Sequence, residues 1–138
     1  DRLRSRGLGD VYKRQLYYRA KAYTKQKADK KAMEDYRELA KDTRNPYGAE
    51  AKYQVAQSLY DAKEYAAAEK ELLNYIEQST PHAYWLARSF VLLSDVYHAT
   101  GKDLDARQYL LSLQQNYQGN DDIESMIESR LSKLKVEN

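Results

Sequence analysis

The chain contains no cysteine, only 2 prolines and 5 glycines in 138 residues, and a single Phe and a single Trp beside 14 tyrosines. The missing cysteines exclude disulfides and thiolate metal sites, and leave the redox compartment open. So few glycines and prolines cannot supply the many tight turns of an all-β chain, so composition points to helices. Long apolar runs are absent too: Phe90-Val91-Leu92-Leu93 is the longest one free of Tyr and Trp, far below the roughly 20 residues that cross a bilayer. The chain is expected to be a single domain without membrane insertion.

Charge is abundant but unevenly placed. Residues 1–45 carry 14 Lys/Arg against 7 Asp/Glu, whereas residues 46–138 carry 9 against 14. A basic front and an acidic back allow end-to-end association or a basic contact surface; the plainer reading is that these charges solvate helix faces.

From Leu16 onward a helical period dominates. Ala32, Tyr36, Leu39 and Ala40 recur at i, i+4, i+7 and i+8, as do Ala68, Leu72, Tyr75 and Ile76, and Ala106, Leu110, Leu113 and Tyr117 nearly do so. Leu16, Ala20, Tyr23, then Val55, Ala56, Leu59, then Phe90, Leu93, Tyr97 form a second series between them. The spacing predicts six helices in three pairs. Asn45-Pro46 and Thr80-Pro81 read as N-cap and first helical residue. Gly101 ends one helix and Asp103 caps the next, Gly119 closes the sixth helix, and Asp121 and Asp122 open a seventh. The seventh carries the stripe Ile123, Met126, Ile127, Leu131, Leu134.

The pairs also repeat. Ala32, Ala68 and Ala106 are 36 and 38 residues apart, and Ala20, Ala56 and Ser94 recur at the same spacings. Small residues at both points let paired helices approach closely, and a period in the mid-thirties marks a helical solenoid. From Leu16 to about Gln118 the chain resembles the tetratricopeptide repeat (TPR) family. The unit EAKYQVAQSLYDAKEYAAAEKELLNYIE matches best, and ARSFVLLSDVYHATGKDLDARQYLLSLQ keeps the family's order through Phe90, Leu93, Ser94 and Tyr97. The first unit departs from it, with Arg19 where a leucine is expected and no glycine at its turn. The resemblance implies an all-α, right-handed α-α superhelix with repeats at about 16–45, 46–80 and 81–118 and a capping helix at about 121–134. A second resemblance concerns the front of the chain. The string GLGDVYKRQ (Gly7–Gln15) is similar to a translated adapter sequence of the kind that contaminates metagenomic reads. Residues 1–15 are therefore expected to be a non-native or disordered leader, with the natural protein, a bacterial multi-repeat protein, continuing upstream of Leu16.

The family resemblance further implies a concave groove lined by the first helix of each pair. Tyr17, Lys21 and Thr24 are followed by Tyr53, Gln57 and Tyr60, then by Val91, Asp95 and His98, each trio on one helix face; Arg88 joins them. Tyrosines beside polar groups offer apolar area and hydrogen bonds together; alternatively, about half of the tyrosines fill gaps within and between repeats. The expected function is non-enzymatic: a protein-binding or scaffold module that holds a protein or peptide segment in this groove. Some family members grip chaperone-tail carboxylates with Lys and Asn. The corresponding positions here are Tyr17, Lys21, Gln54, Arg88 and Leu92, and the asparagines are gone.

Self-association is the alternative, through Leu16, Tyr17, Tyr18 and Tyr23 of an uncovered first repeat. A third reading, single-stranded nucleic acid, rests on Tyr17, Tyr18 and Tyr23 interleaved with Arg19, Lys21, Lys25, Lys27, Lys30 and Lys31. Acidic Glu34, Asp35 and Glu38 follow at once and argue against it. No cofactor and no metal site is expected: His82 and His98 lack ligand spacing, and Glu69/Glu71 point to different sides of a helix. The sequence holds no nucleophile, phosphate-loop or dinucleotide motif. The resemblance implies a link to bacterial cell-envelope assembly, and the compartment, periplasm/cell envelope or cytoplasm, stays open.

Overall fold

A computed structural model describes residues 2–78 and 80–134, with side chains from Gly9 onward. The described residues form seven helices and no strand: α1 (Arg2–Lys25), α2 (Asp29–Leu39), α3 (Pro46–Asp61), α4 (Tyr65–Glu77), α5 (Ala83–Ala99), α6 (Asp103–Asn116) and α7 (Ile123–Leu131). Each helix packs on the next in sequence, α1 to α6 pairing as the apolar stripes predict. The odd-numbered helices also touch one another, α1 with α3, α3 with α5 and α5 with α7. The even-numbered helices make no such contact among the described residues, and no more distant pair does. Contacts are therefore confined to neighbours along a line, the arrangement of a helical repeat stack.

The small residues sit where the helices cross. Ala20, Ala56, Ala68 and Ala106 are 0% exposed, Ser94 1% and Ala32 4%. Ser94 satisfies its hydroxyl by donating to the Val91 carbonyl at 2.6 Å. Larger apolar side chains surround these crossings in two clusters, one running from Leu16 and Ala20 through Val55 and Leu72 to Val96, the other joining Ala87, Val91 and Leu110 to Ile123 and Ile127 of α7.

The turn inside each pair is the same device three times. The amides of Ala28, Glu64 and Lys102 donate to the carbonyls of Tyr23, Leu59 and Tyr97 at 2.8, 2.9 and 2.7 Å, closing a Schellman turn around one left-handed residue. That residue is Lys27 (φ 60°), Lys63 (φ 62°) and Gly101 (φ 80°). The glycine missing from the first turn is thus replaced by a lysine that bears the conformational strain.

Boundaries differ from the sequence reading at several points. No break falls at Leu16: α1 runs unbroken from Arg2 to Lys25. Gly7 and Gly9 cost about 1 kcal/mol each inside a helix but do not end it, and Lys13 ties this stretch to the Asp42 carboxylate at 2.7 Å. Asn45 caps α3 as expected, its side chain accepting from the Tyr47 and Gly48 amides, with Pro46 first in the helix. Gly48 is obligatory there, since a Cβ would stand 1.8 Å from the Asp42 carbonyl oxygen. Thr80-Pro81 does not open α5, which starts at Ala83. Thr80 donates to the Thr43 carbonyl and His82 Nε2 to that of Arg44, pinning this loop to the previous one and delaying the helix. Asp103 is the first residue of α6, behind Lys102 as N-cap. α6 ends at Asn116, before Gly119, because Tyr117 turns extended and hydrogen-bonds Asp121. Asp121 and Asp122 precede α7, where Asp121 accepts from the Ile123 amide at 3.0 Å. Leu134 lies beyond α7 but packs against both clusters.

Candidate partner-binding face

The predicted groove residues lie on successive odd-numbered helices, and five of them are bonded across the junctions between those helices: Tyr17 and Lys21 to Glu50, Tyr53 to Arg88, and Asp95 to Arg130. At the first junction Glu50 of α3, 8% exposed, accepts from Tyr17 Oη at 2.8 Å and from Lys21 Nζ at 2.6 Å. Burial, followed by the Glu50 carboxylate, holds the Tyr17 phenol above its ordinary pKa. Thr24 is exposed and donates to the Ala20 carbonyl.

At the second junction Arg88 of α5 donates to Tyr53 Oη and to Tyr84 Oη, both at 3.0 Å. Its guanidinium lies 4.8 Å from the Tyr53 ring centre and 5.8 Å from that of Trp85, a geometry that combines hydrogen bonding with cation–π attraction. Tyr53 passes the chain on to Gln57 Oε1, and Gln57 Nε2 donates to Asp61, each at 2.9 Å. The face of α3 thus carries a continuous polar relay from Arg88 to Asp61. Tyr60 stands beside Tyr65 with ring centres 5.6 Å apart, and burial raises its pKa, Asp95 adding to the effect.

At the third junction Asp95 meets Arg130 of α7 at 3.2 Å. Burial of Asp95 outweighs that attraction and raises its pKa. His98 bonds Asp103 across the turn at 2.9 Å. Val91 is not on the face at all: it is 3% exposed and belongs to the cluster under α7, because α7 lies over that side of α5.

The other sequence candidates are largely committed internally. Leu16 is 5% exposed and cannot serve as an uncovered contact, whereas Tyr18 is 60% exposed. Arg19 grips Asp35 through two hydrogen bonds of 2.8 and 2.7 Å, which raise its pKa further. Arg19 and Lys31 also flank the Tyr23 ring. Leu92, at one of the positions compared with the carboxylate-gripping family members, is 2% exposed. Among the described residues no group of three or more metal-ligating side chains comes together, and no helix is long and apolar enough to cross a membrane.

Glu50, Tyr84 and Trp85 were not among the sequence candidates. Tyr84 and Arg88 are four residues apart on one helix, a legible signal; Glu50 gives none, since its partners are 29 and 33 residues away. No family model matches the chain, and no curated protein is significantly similar to it.

Proposed function

We propose that the chain is a non-enzymatic, TPR-like solenoid that holds an extended or helical protein segment against the face formed by α1, α3 and α5. The observation that carries this reading is the contact pattern. Odd-numbered helices approach each other while even-numbered ones do not, so the stack bends with the odd helices on its inner side. The accessible groups of that side, exposed Thr24 and His98 and half-buried Lys21, Gln57, Tyr60 and Asp95, then line a shallow trough. Bonds of Lys21 to Glu50, of Gln57 to Tyr53 and Asp61, of Asp95 to Arg130 and of His98 to Asp103 hold these side chains before a partner arrives, which lowers the ordering cost of binding. A segment lying along the trough would exchange hydrogen bonds with the relay and cover ring faces, as extended and helical peptides do in preformed grooves.

Peptide-array binding of the intact chain tests this. Sequences that bind should lose affinity by about tenfold or more with Gln57→Ala or Tyr60→Ala and keep it with Lys70→Ala on exposed α4 surface. Equal losses for all three variants, or none for the α3 variants, would contradict the proposal.

A further inference from the structure

The first junction contains a pocket of about 470 Å³ between the α1–α2 turn and the end of α3, within the size range of ligand sites. Ala32, Met33 and Tyr36 of α2 form its apolar floor. Thr24, Gln54, Gln57 and Ser58 surround it, and the carboxylates of Asp29 and Asp61 stand at its rim.

The molecule shows what fits such a space. The two junctions correspond in sequence by a step of 36 residues in the first helix pair and 38 from α3 to α5, the spacings of the buried small residues. Under that step Thr24 corresponds to Tyr60, Asp29 to Tyr65, Gln54 to Leu92 and Ser58 to Val96. At the second junction, therefore, the place of the pocket belongs to two tyrosine rings 5.6 Å apart, packed on the core beside Leu92 and Val96. The two junctions share part of the floor, with Ala32 matching Ala68 and Tyr36 matching Leu72 although Met33 matches Glu69, but the first carries small or polar residues where the rings would be.

We infer that this pocket receives an aromatic side chain from a partner segment, a tyrosine phenol or similar ring with a donor at its tip and a cation beside it. The ring takes the place that Tyr60 and Tyr65 occupy one repeat later. The Gln54 carbonyl and the two carboxylates supply acceptors, so a donor tip and a neighbouring Lys or Arg are matched, while an acidic neighbour is repelled. This deepens the groove proposal, on which the identification of the occupant as part of a partner protein rests.

Small probes test the pocket without any partner, so its failure is distinguishable from failure of the groove reading. Amide chemical shifts of the intact chain are followed during titration with tyramine, p-cresol and 3-(4-hydroxyphenyl)propionate. The expected result is saturable, millimolar-range binding localised to Thr24, Gln57 and Ser58, tightest for tyramine and about tenfold weaker for the propionate. The double substitution Thr24→Tyr/Ser58→Val installs the second junction's residues and should abolish binding. Asp61→Asn, at an exposed position that leaves the core untouched, should remove tyramine's advantage over p-cresol. No localised shifts, equal affinity for the acidic and basic probes, an unchanged preference in Asp61→Asn, or undiminished binding to a folded double variant would each overturn the inference.

Discussion

The first and second junctions have the same backbone plan but are held together differently. Between α3–α4 and α5 the Arg88–Tyr53 hydrogen bond lies among aromatic and aliphatic contacts: Tyr53 against Trp85 with ring centres 5.6 Å apart, and Leu92 and Val96 nearly inaccessible. Between α1–α2 and α3 the rings of Tyr17 and Tyr47 also meet, at 4.6 Å, but the positions of Leu92 and Val96 hold Gln54 and Ser58, and a buried carboxylate, Glu50, binds Tyr17 and Lys21. Apolar burial is worth about 25 cal/mol per Å² removed from water, whereas a buried charge pair gains little beyond its own desolvation cost. At the positions of Leu92 and Val96 the second junction is thus the closed part of the stack. The first is its adaptable part, with space left for another molecule.

Substitutions at matched positions break this comparison most strongly. Leu92→Ala should cost about 2–5 kcal/mol, as deletion of a buried leucine does, while its counterpart Gln54→Ala should cost less than about 1 kcal/mol; urea unfolding monitored by circular dichroism measures both. Near-equal costs would mean the junctions are not energetically distinct. Glu50→Ala removes the acceptor shared by Tyr17 and Lys21 and should cost about 1–3 kcal/mol, with a larger share of that loss recovered at high salt than for Leu92→Ala.

The third junction sharpens the point through pH. Because burial raises the Asp95 pKa, the folded state holds that proton more tightly than the unfolded chain. Its contribution to stability is therefore fully present below the ordinary carboxylate value, about 4, and declines as pH rises through the raised value. Asp95→Asn should remove this decline, so its stability relative to the parent improves between acid and neutral pH, as paired melts would show. The smallest expected effect lies in the turns. Lys63→Gly should stabilise the chain by up to about 1 kcal/mol by relieving a left-handed lysine, and Lys27→Gly should do the same, each read as a rise in melting temperature.

Much of the helical plan is legible in the chain because it depends on local periodicity. The alanines spaced 36 and 38 apart mark the helix crossings, and the stripes from Leu16 to Ile127 identify the buried faces. What escapes sequence reasoning is long-range. The spacing of Val91 places it beside Asp95 and His98, yet α7 covers it, and no local pattern says where a seventh helix will lie. Thr80-Pro81 has the form of a helix start, but hydrogen bonds to Thr43 and Arg44 override it. Gly7 and Gly9 look like breaks, yet two isolated glycines without a proline leave α1 intact. The turn at Lys27 lacks the expected glycine because the Schellman hydrogen bonds tolerate a strained lysine. The pocket was invisible for a different reason: it is defined by side chains that are missing relative to the next repeat, and only placing α2 against α3 reveals the space.

The account stands on the bend that puts the odd-numbered helices inside. Spin labels at the equivalent positions 24 and 98, on α1 and α5, and at 34 and 108, on α2 and α6, report it directly by double electron–electron resonance. The account predicts a shorter mean distance for the 24–98 pair than for the 34–108 pair. Equal distances, or a longer one on the odd-helix side, would contradict it.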